Sequence, residues 1–194
     1  MSASEQIALF PLNTVLFPGG LLPLRIFEPR YVDMVGRCMR GDELFGVVLV
    51  LGGRDTEREV DIAPVGTTAR IVDFQTLEDG LLGLLCRGEQ RFRVKTRSRC
   101  DDGLNRASVE WLEEKSAMPV AEQFQPLVRL LRRALAQLTS LGRFIEPNYD
   151  DAGWVAHRLA ELLPLDHSLQ QRLLEIDDPN ARLSLLEPLI DPNA

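Results

Sequence analysis

A chain of 194 residues with 45% hydrophobic and 26% charged side chains has the composition of an ordinary globular protein, long enough for one sizeable core or two small ones. Its net charge of −7 excludes a protein that grips nucleic acid or an anionic membrane over its whole surface, and leaves only local basic patches for that purpose. The longest uncharged apolar run, Leu44 to Gly53, covers about half of the roughly 20 residues that cross a bilayer, so no membrane span is expected.

In chain order, Met1 to Gln6 place no basic residue ahead of the first apolar stretch, which argues against a signal peptide and predicts a cytoplasmic address. Leu9 to Phe17 and Leu21 to Phe27 are apolar stretches parted by Pro18-Gly19-Gly20, a tight reversal or loop. Pro29 suits the first position of a short helix that carries Tyr31, Met34, Val35, Cys38 and Met39 on one face and stops at Gly41. Phe45 to Leu51 reads as a strand covered on both sides, and Gly52 to Asp61 as a solvated loop. Thr67 to Thr76 and Leu81 to Arg87 flank Asp79-Gly80, a hairpin signal in which both turn positions take positive φ. Gly88 then opens Arg91 to Arg99, and Ala107 to Leu112 follows the turn Asp101-Asp102-Gly103. Gly66, Gly80 and Gly88 all read as turn glycines. Six to eight strands are expected up to Ala117, which sets domain boundaries of 1–117 and 118–194.

The remainder is helical. Leu127, Val128, Leu131, Leu135, Leu138 and Leu141 recur at helical spacing before Gly142, and Pro126 must lie in the first turn or bend the helix. A second helix runs from about Asp151 to Pro164, a third from a cap at Asp166 over His167 to Ile176, and a fourth from Asp178-Pro179 to Leu189.

Catalytic chemistry is hard to find. Cys38, Cys86 and Cys100 fit neither a disulfide framework nor a zinc site and read as reduced thiols, while Lys95 and Lys115 leave no Gly-Lys-Ser/Thr phosphate loop. No Gly-x-Ser-x-Gly elbow and no Gly-x-Gly-x-x-Gly loop exist. His157 and Glu161, four residues apart, have the spacing of a metal or acid/base pair, but without a third ligand they read more simply as a surface ion pair or a partly buried imidazole. No catalytic residue, metal or cofactor is assigned. In Arg91-Phe92-Arg93-Val94-Lys95-Thr96-Arg97-Ser98-Arg99 every second residue is basic, so on a strand Arg91, Arg93, Lys95, Arg97 and Arg99 share one face. That stripe suits RNA or another polyanion, or else is a solvent-facing strand protected from edge-to-edge pairing by its charge.

The segment from Phe10-Pro11-Leu12 through Phe17-Pro18-Gly19-Gly20 to Phe27-Glu28-Pro29-Arg30-Tyr31 closely resembles the N-terminal, substrate-binding domain of the Lon protease family. The resemblance continues through Val65 to Ile71, Asp79-Gly80, Gly88 to Phe92 and Ala107 to Leu112, and more loosely through Gln171 to Leu174 and Arg182 to Leu186. It implies an α+β chain: a β-rich pseudo-barrel of the PUA-like type with one short helix, then a four-helix subdomain. Because the phosphate loop is missing and no length is left for a motor or a protease, the resemblance implies a binding module and not an enzyme. Its expected partners are unfolded or damaged polypeptides, or a protease or chaperone, with nucleic acid as the alternative. Apolar capture needs exposed apolar surface, for which Phe17, Leu21 and Leu22 around the Pro-Gly-Gly loop, with Phe27 and Tyr31 nearby, are the candidates; the competing reading of each is core packing.

Overall fold

The computed structural model describes residues 6–41, 43–52, 60–137 and 144–190. Two compact units, Met1–Glu113 and Glu114–Ala194, make up the chain.

Among the described residues, the first unit has seven strands and one helix. Strands β1 (Gln6–Leu12), β3 (Phe45–Gly52), β5 (Val65–Thr76), β6 (Leu82–Arg99) and β7 (Asn105–Trp111) form a ring. Pairing runs β1–β7–β6–β5–β3 antiparallel, and a parallel β1–β3 pair, Ala8 opposite Phe45 to Leu12 opposite Leu49, closes it. Closure removes the free edges that an open sheet of this length would expose. Strand β2 (Leu21–Ile26) lies on β6 outside the ring, and β4 (Asp61–Ile62) pairs with β3.

Side chains alternate along these strands between two apolar layers. Ile7, Leu9, Val48, Phe92, Ala107 and Val109 make up one; Phe92 is fully buried, and Gly46 and Gly66 leave the space that its ring occupies. The other layer contains Phe10, Phe45, Val47, Leu84 and Cys86, and the helix α1 (Pro29–Gly41) covers it with Tyr31, Met34, Val35 and Cys38. Met39, expected on that buried face, is 46% exposed, whereas Arg30 in the first turn is buried.

Two expectations about the strands change. The Leu77 carbonyl accepts from the Gly80 N–H at 2.9 Å, the Leu77 N–H donates to the Leu81 carbonyl at 2.8 Å, and Gly80 has φ of 82°. That pattern is a three-residue loop with glycine in the left-handed position, not a two-residue turn. Gly88 lies inside a single 18-residue strand, β6, and does not separate two strands. Its backbone exchanges hydrogen bonds with the Pro-Gly-Gly loop, from Gly19 N–H to the Gly88 carbonyl at 2.7 Å and from Gly88 N–H to the Gly20 carbonyl at 2.9 Å. Gly66 likewise sits within β5, where a Cβ would meet the Val47 carbonyl at 2.4 Å. Both are glycines of close approach and not of turns.

In the second unit the expected helices are α2 (Gln125–Ala136), α3 (Ala152–Leu162), α4 (His167–Glu175) and α5 (Pro179–Leu186). Pro126 is in the first turn of α2. Asp151, Asp166 and Asp178 cap the other three by accepting from the N–H groups of Gly153, Leu169 and Ala181 at 3.1, 2.8 and 3.0 Å. Helix α3 packs against α2, α4 and α5, which explains why seven of its eleven residues are buried. Arg182 reaches from α5 to the carbonyls of Leu173 and Ile176 at 3.1 and 2.7 Å, satisfying acceptors at the end of α4. Most of the loop expected at Gly52 to Asp61, together with Leu138, Leu141 and Gly142, lies outside the described residues.

Candidate functional site

The chain leaves β2 through Phe27-Glu28 and enters α1 at Pro29. Proline holds the residue before it extended, and Phe27 projects from this corner with 67% of its surface exposed. Behind it the stacked rings of Phe10 and Tyr31, with centroids 4.0 Å apart, help to line an apolar cleft of about 180 Å³ together with Leu12 and Leu24. A space below the roughly 300 Å³ of a small-molecule pocket suits one or two side chains. Arg30 fixes the corner: its guanidinium pairs with Glu28 at 2.8 Å, donates to the Gly103 carbonyl at 2.8 Å and lies 4.6 Å from the centre of the Tyr31 ring.

The five apolar candidates thus divide. Phe17 is 1% exposed and belongs to the core, because the Pro-Gly-Gly loop folds back onto Gly88 and carries it inward. Tyr31, 2% exposed, offers no surface of its own and forms part of the wall of the cleft. Leu21 and Leu22 are half-buried on β2, and Phe27 is the exposed member.

The basic stripe does not lie on one open face. Arg91 is fully buried, and pairing between β6 and β7 shifts register between Val94 and Thr96, which breaks the strict alternation. Lys95 pairs with Glu110 at 2.9 Å and Arg97 donates to the Val60 carbonyl. Arg93 stands opposite Glu110 in the ladder, and Arg99 is exposed.

The helical unit holds the other candidate pair, His157 and Glu161. The imidazole is 4% exposed, and the Glu161 carboxylate is bound to Arg158 at 2.7 Å. Among the described residues no three His, Cys, Asp or Glu side chains are placed to hold a metal ion. Burial pushes the Cys86 thiol up to about 12, and raises Cys38 as well, so both stay protonated and poorly nucleophilic near neutral pH. What sequence reasoning missed is Phe74, 58% exposed on β5, and Met39, which flank a cavity of about 580 Å³. A second cavity of about 670 Å³ shares Cys38, Glu43 and Arg70 with it. Helical spacing alone placed Met39 inside, and no sequence signal marks that Phe74 lines the same cavity.

Residues 6–191 match the model of the ATP-dependent protease La (LON) substrate-binding domain. The chain is 38% identical to the Lon N-terminal domain protein from Xanthomonas campestris, whose crystal structure superposes with a TM-score of 0.81 over 96% of this chain and 99% of that one. The N-terminal domain of a Mycobacterium avium complex Lon protease has the same fold, with a TM-score of 0.67 at 16% identity, covering 95% of this chain and 97% of that one. Among full-length relatives, the Lon proteases of Cytophaga hutchinsonii and Paraburkholderia phytofirmans are 25% and 30% identical over 98% and 92% of this chain. The chain spans about a quarter of the length of those relatives, 25% and 23%.

Proposed function

The chain belongs to the Lon substrate-binding domain family, and on that premise we propose that it is a non-enzymatic binding module that captures exposed apolar segments of unfolded polypeptides. The observation that carries this reading is Phe27, a large aromatic side chain left 67% exposed at the mouth of an apolar cleft. An incoming apolar side chain enters the cleft, and Phe27 covers it, while Leu21 and Leu22 extend the surface along β2. Such contacts are non-directional, which suits a binder of many unrelated segments. A protease or a chaperone is the natural recipient of what the module holds.

Fluorescence anisotropy of a labelled, permanently unfolded, apolar-rich polypeptide tests the proposal. Binding is expected to survive added salt, because burial of apolar surface is not screened. Phe27→Ser is expected to weaken it about tenfold or more, as loss of one buried aromatic contact costs roughly 1.5–3 kcal/mol. Absence of binding, or full affinity in the Phe27→Ser protein, overturns the reading.

A further inference from the structure

The second cavity of the first unit lies among residues of β1, α1, β5, β6 and β7. Its volume of about 670 Å³ is that of a small-molecule site. Among the described residues, three guanidinium groups line it, Arg37 from α1, Arg70 from β5 and Arg106 from β7, against one carboxylate, Glu43. In a chain with 29 acidic and 22 basic residues, that local excess of positive charge runs opposite to the whole. Arg70 is held by Glu89 at 3.4 Å. Among the described residues no ion pair engages Arg37 or Arg106, and the Nη2 of Arg37 is buried without a hydrogen-bond partner. A guanidinium keeps its charge at any ordinary pH, so a buried N–H that lacks an acceptor is costly until a ligand supplies one.

We propose that this cavity binds a compact oxyanion ligand, bearing phosphate or carboxylate groups, through Arg37 and Arg106. Forked guanidinium donors match the paired oxygens of either group. Three elements of the ring and its covering helix fix the arginines around the space, so the site is set by the fold. It shares no residue with the walls of the cleft at Phe27 and stands or falls independently of polypeptide capture.

Isothermal titration calorimetry of the full chain, at constant ionic strength, with pyrophosphate in one series and citrate in another, tests the site. Saturable binding of at least one probe is expected, weakened at least tenfold in both Arg37→Gln and Arg106→Gln. Arg172→Gln, which removes the same charge from α4 outside the cavity, is expected to bind as the parent does. Preference for pyrophosphate assigns the site to phosphate groups, and preference for citrate to carboxylates. Should Arg37→Gln fail to fold by circular dichroism, Arg106→Gln on the ring decides alone. No heat with either probe, or unchanged affinity in Arg106→Gln, overturns the proposal.

Discussion

At Gly88 a Cβ would stand 2.2 Å from the carbonyl oxygen of Phe17, a backbone atom that cannot rotate away. Gly88→Ala is therefore expected to push the Pro-Gly-Gly loop off β6 and lower stability by about 2–3 kcal/mol, read as a shift in the urea midpoint. An unchanged midpoint would mean that the loop moves freely. The same contact explains why Phe17 is core. Identity alone does not separate Phe17 from Phe27: both are phenylalanines beside a proline turn, and only the path of the chain after each sends one inward and the other to solvent. Arg91 and Arg93 likewise have equal claims on a strand face by spacing, yet one is fully buried and the other borders the ladder opposite Glu110.

Elements were more legible than residues because helix capping and periodicity are local. Asp166 and Asp178 cap α4 and α5 where a short polar side chain precedes an apolar helical pattern. Asp151 does more than cap, since its Oδ1 also accepts from the Met118 N–H at 3.3 Å and so ties the entry to the second unit onto α3. Asp151→Ala is expected to cost roughly 1–2 kcal/mol by thermal or urea unfolding. A cost near zero would show that water replaces both bonds. Strand β2 shows the converse limit. Its pattern predicts a strand, but only the pairing shows that it lies outside the ring, with Pro23 opposite Leu85. Proline has no N–H to give a ladder, so Pro23 is better placed on a strand at the side of the sheet than on a central one.

For the whole molecule, the link between the units is the testable feature. Residues 113–117 are exposed and carry no regular structure, and we propose that the domain boundary lies here, with 1–117 and 118–194 as independently folded parts. The chain has two lysines, Lys95 within β6 and Lys115 in this link, so a lysine-specific protease offers a clean choice. Cleavage after Lys115 alone is expected, leaving fragments 1–115 and 116–194 that each melt cooperatively. Equal cleavage after Lys95, or fragments that do not melt cooperatively, would refute the boundary. The sequence by itself determined the α+β class, the split into a β-rich and a helical part and the caps, because alternation, helical periodicity and turn chemistry act over a few residues; the family came from the resemblance of the motif from Phe10 to Tyr31. Only the tertiary structure decided the parallel β1–β3 closure, the burial of Phe17 and Arg91, the exposure of Phe27, and the gathering of Arg37, Arg70 and Arg106 around one cavity. Each of these depends on which distant strands meet and in what register, and a bulge of one residue in β6 is enough to turn a face that spacing alone would assign.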